Sequence, residues 1–343
     1  MSLLREAPEP SLRVFVVGAT GYIGRHVVRT LLADGHDVVC LVRRDHAGGE
    51  GFGDAEARFG DVTDPRSVAE AGFRGERFDA VVSCLATRTG VPEDAWAIEH
   101  RANLNVLEAS KAAGVRHFVL LSAICVQKPL LAFQEAKLRF ERALIDSAIT
   151  YSIVRPTAFF KSLAGQVEKV KRGAPFLVFG DGELTACKPI SERDLARFVV
   201  SCLTDPSKRD AILPVGGPGP AITPKGQGAL LAELLGRAPR YRRAPVRMLD
   251  VIGRVLRTLG RVFPRLRDKA ELVAIGRYYA TESMLVFDAA RGRYDADATP
   301  SFGEDTLRAF YARVLRDGLA GQELREHSLF SRDAVRSPSR HRP

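Results

Sequence analysis

Three groups of residues in this chain have the types and spacing to do chemistry. Gly18-Ala19-Thr20-Gly21-Tyr22-Ile23-Gly24 is Gly-x-x-Gly-x-x-Gly, set between an apolar run and a segment with helical spacing. Glycines at these intervals permit a tight turn, then close approach of backbone to a pyrophosphate, then packing of helix on strand. Gly18, Thr20, Gly21, Tyr22, Ile23 and Gly24 would form the cradle, with phosphates on the free N–H groups that open the helix. Arg43 and Arg44 end the next apolar run, where a carboxylate would otherwise take an unphosphorylated ribose. A guanidinium there can hold a 2′-phosphate through paired charge-assisted hydrogen bonds, so NADPH is expected over NADH. In the third group Phe133 and Lys137 lie four residues apart and would share a helix face, with Ser122 at the end of a strand. Lys137 and Ser122 are the candidate catalytic residues, because both can hydrogen-bond a ribose, a nicotinamide or a substrate. The phenyl ring beside them has no proton to give.

These groups need a frame that brings them together. Apolar runs at 12–17, 36–43, 57–60, 79–85, 117–122, 151–155 and 212–215 read as strands. Helical spacing fills 22–33, 94–113 and 130–147 between them. That alternation predicts an α/β fold with a doubly wound parallel sheet of the Rossmann type. Its cofactor-binding domain would span 12–160, with 190–216 returning to it. A smaller, mostly helical lobe over the carboxyl ends of the strands would comprise 161–189 and 217–324 and hold the substrate. Residues 325–343 are polar and are expected to be a disordered tail. Asp61, followed by Val62 after the third strand, could accept from an adenine amino group or simply form a turn. Leu85 and Ala86 follow the fourth strand, at the edge where open sheets bind ligands.

Hydrophobic residues make up 45% and charged residues 27% of the chain, an ordinary soluble balance. Met1 to Pro10 shows no basic stretch followed by an apolar run, and no spanning segment of about 18 apolar residues occurs. Five scattered cysteines suit neither a disulfide frame nor zinc, so no metal is expected and each thiol should be buried in a reducing compartment. The net charge of +10 is concentrated between Arg240 and Arg277. Such a patch can serve nucleic acid, an anionic membrane, an acidic small molecule, or solvent alone. Within it Ile252, Val255, Leu256, Leu259, Val262 and Phe263 form an apolar stripe on an Arg-rich helix. That stripe either packs on the sheet or rests on an anionic membrane.

Taken together, the glycine motif, Arg43, Ser122 and the Phe133/Lys137 spacing resemble the atypical, extended branch of the short-chain dehydrogenase/reductase superfamily over roughly 12–215. In that superfamily the Phe133 slot carries a proton-donating Tyr. A narrower likeness lies in Val126-Gln127-Lys128-Pro129-Leu130-Leu131, Phe133-Gln134-Glu135-Ala136-Lys137-Leu138, Arg155-Pro156-Thr157-Ala158-Phe159-Phe160-Lys161-Ser162-Leu163, Phe179-Gly180-Asp181-Gly182 and Cys187-Lys188-Pro189-Ile190-Ser191. These segments look like the NADPH-dependent 3,8-divinyl chlorophyllide 8-vinyl reductases of chlorophyll and bacteriochlorophyll biosynthesis, and Phe in the Tyr slot belongs to that resemblance.

The resemblance implies reduction of the 8-vinyl group of a divinyl chlorophyllide or protochlorophyllide to ethyl. The cysteines, and not the resemblance, place the protein in the cytoplasm; peripheral contact with a photosynthetic membrane stays an open alternative, and no obligate protein partner is inferred. Lys137 would then orient the nicotinamide ribose, while Pro156, Thr157 and Phe159 contact the nicotinamide. Phe133, Phe160 and Lys161 would face the substrate, and 176–179 would help line a flat cleft. Two other readings remain open. One is a reductase of the phenolic ether or isoflavone type, which shares the glycine loop but not the 156–163 run. The other is a non-catalytic NADPH-binding sensor or assembly protein. Nucleic-acid binding has no recognised motif behind it.

Overall fold

The computed structural model describes residues 11–44, 53–263 and 265–319. The expected tail at 325–343 and the first ten residues lie outside them.

Strands β1 (Arg13–Val17), β2 (Asp37–Val42), β3 (Glu56–Phe59), β4 (Ala80–Ser83), β5 (His117–Leu121), β6 (Thr150–Pro156) and β8 (Ala211–Val215) form one sheet in the order β3-β2-β1-β4-β5-β6-β8. Every pairing in it is parallel. The order reverses at β1, which pairs with β2 on one side and β4 on the other. The crevice beyond their carboxyl ends is where open α/β sheets take ligands. The helices are α1 (Gly24–Ala33), α2 (Pro92–Ala95), α3 (Asn103–Ala112), α4 (Ala132–Ile145), α5 (Phe160–Leu163), α6 (Val167–Lys171), α7 (Glu192–Ser201), α8 (Pro224–Leu234), α9 (Arg247–Leu259), α10 (Arg265–Thr281) and α11 (Leu307–Asp317).

Alternate residues of a strand face opposite sides, and both sides of this sheet are covered. Val14 and Val16 join a core with Val27, Leu31, Leu195 and Val199 of α1 and α7. Phe15 and Val17 join the opposite core with Val106, Leu107, Phe140 and Leu144 of α3 and α4. Burial on both faces explains why the central strands read as unbroken apolar runs. Local chemistry sets several helix starts. Thr223 Oγ1 accepts from Gly226 N–H at 3.1 Å and Ser191 Oγ from Asp194 N–H at 3.0 Å, the usual N-cap bonds. Helix α4 starts at Ala132, two residues later than its spacing suggests. Gln134 Oε1 reaches back to accept from the N–H groups of Leu130 and Leu131 at 2.8 and 3.0 Å. The expected helix over 94–113 opens at Pro92 and is π-wound over Trp96–Ala102 before α3.

The C-terminal lobe is less purely helical than expected. Strand β7 (Phe176–Phe179) pairs in parallel with β9 (Tyr241–Ala244), and β10 (Val286–Asp288) pairs antiparallel with β11 (Arg293–Asp295). The β7 and β9 strands are short and far apart in the chain, and the two arginines in β9 mask its strand character. Phe160, Phe176, Val178, Leu231, Phe310 and Tyr311 form the core of this lobe. No helix among the described residues is long and apolar enough to cross a membrane.

Candidate active site

The glycine turn sits at the sheet's switch point. Gly18 has φ +76°, and a Cβ there would lie 2.5 Å from the Cys84 carbonyl carbon and oxygen. Its smallness therefore lets the end of β1 pass against the chain leaving β4, in a backbone conformation that L side chains rarely adopt. A Cβ on Gly24 would lie 2.1 Å from Gly18 O, so the third glycine lets α1 start directly on the turn. Gly21 N–H closes the turn on Gly18 O at 3.0 Å. Arg43 and Arg44 are exposed at the carboxyl end of the adjacent β2. A cradle in which added Cβ atoms collide with backbone, flanked by two exposed guanidinium groups, fits a phosphorylated dinucleotide.

Helix α4 brings the second group to the same sheet edge. Lys137 donates to Glu99 Oε2 at 2.7 Å, and Thr87 N–H donates to Glu99 Oε1 at 2.9 Å. Lys137 is 8% and Glu99 2% exposed, so this is a buried ion pair whose acid also fixes the loop after β4. Burial pushes the Cys84 thiol up to about 12, while the charge of Lys137 acts in the opposite direction. One turn after Lys137, Glu141 accepts from the Ser122 hydroxyl and from Arg155, whose Nε lies 3.2 Å from Glu141 Oε1. The proton of Ser122 is thus committed to a buried carboxylate, which leaves its oxygen lone pairs for a ligand. Phe133 is 9% exposed, in a cluster with Ile124, Leu131, Ile275 and Tyr278. Helix α10 therefore closes over the start of α4, and Gly90 leaves room for Ile275, whose Cδ1 would be 2.7 Å from an added Cβ.

The other expected site residues divide in two. Pro156 and Thr157 are buried at the end of β6, with Thr157 N–H donating to Val215 O at 2.9 Å and its hydroxyl to Lys188 O. Leu85 is buried, Ala86 exposed and Val62 half-buried at the same edge, and the Val62 carbonyl accepts from Asn105 at 3.0 Å. Asp61 Oδ1 accepts from Thr63 N–H and hydroxyl at 2.8 and 2.7 Å, which builds a turn and leaves Oδ2 for other donors. Phe159 is half-buried, its ring 6.5 Å from that of Tyr22. Lys161 returns to the glycine loop, with Nζ 4.8 Å above the Tyr22 ring. Phe160, expected to face the substrate, instead packs in the lobe core with its ring 5.4 Å from Phe310. Phe176 and Val178 lie in that core as well, while Leu177 and Phe179 alternate to the other side of β7 and are half-buried.

Sequence reasoning missed the acids: Glu99, Glu141 and Glu192. Glu192 accepts from the Tyr22 hydroxyl at 2.5 Å. Burial, with the neighbouring Glu192 charge, holds the Tyr22 phenol far above the usual range. The one available signal was position, since Glu141 continues the spacing of Phe133 and Lys137 along α4. All five cysteines are buried, and burial pushes Cys40, Cys187 and Cys202 up to about 12, so they behave as apolar residues.

A glycine cradle at the switch point of a seven-stranded parallel sheet, with a buried lysine and a serine at its carboxyl edge, defines a dinucleotide-binding protein of the reductase class. A family described as NAD(P)H-binding matches residues 18–206. The chloroplastic divinyl chlorophyllide a 8-vinyl-reductase of Oryza sativa subsp. indica is 53% identical over 332 residues, 92% of this chain and 82% of that protein. Its namesake in Arabidopsis thaliana is 48% identical over 342 residues, 94% of this chain and 81% of that protein. Among solved structures, the NADPH-dependent quinone oxidoreductase of Escherichia coli complexed with NADPH shares the fold at TM-score 0.64 and 17% identity, covering 88% of this chain and 100% of that one. This chain belongs to the divinyl chlorophyllide a 8-vinyl-reductase family.

Proposed function

We propose that this protein uses NADPH to reduce the 8-vinyl group of a 3,8-divinyl chlorophyllide to ethyl. The observation that carries the reading is a reductase site with Lys137 and Ser122 in place and Phe133 where an acid would stand, in a chain 53% identical to a vinyl reductase. Reducing a carbonyl leaves charge on oxygen and calls for an acid beside it. A vinyl group conjugated to a macrocycle differs, because charge left by hydride addition spreads into the ring. Protonation at carbon can then follow from water, so that one hydride and one proton convert –CH=CH2 to –CH2–CH3. Bound NADPH supplies the hydride.

The chain's own residues bind and orient. The glycine turn receives the pyrophosphate on backbone N–H groups, and Arg43 with Arg44 neutralises the 2′-phosphate. Lys137, held by Glu99, donates toward the nicotinamide ribose, and Pro156 to Phe159 border the ring. Phe133 keeps a dry wall where the vinyl group must approach. Lys161, whose ammonium lies over the Tyr22 ring beside the glycine loop, is the cation we assign to the substrate carboxylate. Positioning of this kind can supply several kcal/mol of barrier lowering. The protein would act where the pigment is made, peripheral to its membrane.

The test is incubation of the purified full chain with NADPH and 3,8-divinyl chlorophyllide a, followed by chromatography and absorbance of the monovinyl product. One NADPH should be consumed per product formed, with NADH far less effective. Binding of NADPH without turnover would overturn the reading in favour of a non-catalytic NADPH-binding protein.

A further inference from the structure

Helix α9 carries its apolar stripe on the wrong side for packing. Val251, Ile252, Val255 and Leu259 share one face of α9, and Val262 and Phe263 extend it in the turn that follows, where both N–H groups donate to Leu259 O. That face points outward: Val262 is 72%, Phe263 58%, Val251 56% and Val255 50% exposed. The body of the protein is met by a different face, through Leu249, Gly253, Leu256 and Gly260, which are buried or half-buried, so Leu256 leaves the expected stripe and Val251 joins it. Gly260 allows that approach, since an added Cβ would be 3.1 Å from Arg267 Cγ. The expected alternative of a stripe packed on the sheet is thereby removed.

The flank of the exposed stripe is cationic. Arg247, Arg254 and Arg257 are exposed on the third face of α9, and Arg261 is exposed in the turn that follows it. Asp250, the one acid in α9, is turned toward α10, where it accepts from Arg277. Arg247, Arg254 and Arg261 form no salt bridge among the described residues. An apolar band bordered by unneutralised arginines matches the acyl and headgroup layers of an anionic bilayer, in which the helix would lie flat. A second copy packed antiparallel on this face would set these arginines against their own equivalents, which is repulsive. We propose that the outer face of α9 docks on an anionic lipid bilayer. The inner side of the α9–α10 pair faces Leu130 and Leu131 at the start of α4, and α10 also covers Phe133, so docking would hold that end of the site beside the headgroup layer. An amphiphilic macrocycle could then reach it without crossing bulk water.

The experiment is flotation of the full chain with vesicles of phosphatidylcholine alone or with added phosphatidylglycerol, at low and high salt. Binding should require the anionic lipid and fall steeply with salt. Val255→Asp with Leu259→Asp should weaken it by about tenfold or more, from the apolar area lost. Arg254→Glu with Arg261→Glu should abolish the preference for anionic lipid. Unchanged melting temperature and NADPH binding show that these surface variants fold. The proposal is overturned if the chain fails to float at low salt, or if it floats equally well with both sets of substitutions. It is also overturned if sedimentation shows that they dissociate a dimer that ignores vesicles. Failure here leaves the reductase reading intact, because turnover in vesicle-free buffer is measured separately.

Discussion

The buried pair of Lys137 and Glu99 makes a demand on stability that can be measured apart from turnover. Replacing Glu99 by Gln keeps an acceptor for Thr87 N–H but removes the counter-charge 2.7 Å from the ammonium, in surroundings where the two residues are 8% and 2% exposed. Removing one partner of such a pair costs about 3–5 kcal/mol, and the retained Thr87 bond places this case near 3. For a chain of this size that is a fall in melting temperature of roughly 4 °C. Lys137→Met should cost a similar amount, since it leaves the carboxylate alone. The double variant should recover most of the loss, giving a coupling of about 2 kcal/mol or more in a double-mutant cycle by urea denaturation. Additive losses, or single losses below about 1 kcal/mol, would refute the reasoning that the pair is dry and mutually dependent. Both single variants should also raise KM for NADPH, because one releases the Lys137 ammonium from its partner and the other removes it.

Three further outcomes follow from the site and the sheet. Arg43→Asp should shift preference from NADPH toward NADH by at least about tenfold in kcat/KM, as a carboxylate repels the 2′-phosphate; unchanged preference would remove Arg43 from the cofactor site. Phe133→Tyr should leave vinyl reduction within a few-fold of the starting rate, and a gain of orders of magnitude would show that an acid was needed there after all. His117 is buried against Ser152 at 2.9 Å, and burial, with the Arg209 charge, lowers it to about 4. The folded state therefore binds fewer protons than the unfolded state between pH 4 and 6.5, so stability should fall as pH drops through that window, by on the order of 3 kcal/mol in all. His117→Asn should flatten that part of the stability profile in urea melts taken from pH 7 to 4.

What the residues alone disclosed was whatever is local or periodic. The glycine turn is seven consecutive residues whose backbone needs are written in their types, and Arg43 follows β2 directly. The parallel strands were readable because both faces are buried, which demands unbroken apolar runs. The partners that tie the site together were not readable. Glu99 lies 38 positions from Lys137 and Glu192 lies 170 from Tyr22, and an acid on a helix looks like a solvated one until another element covers it. Phe160 and Phe176 had the composition of a ligand wall, but the lobe folded them into its own core. Helix α9 shows the boundary most clearly. Helical periodicity determines which residues share a face, and it is the same whether that face turns inward or outward. Only the packing of Gly253 and Gly260 on α10, made by contacts between separate elements, set the apolar stripe toward the outside.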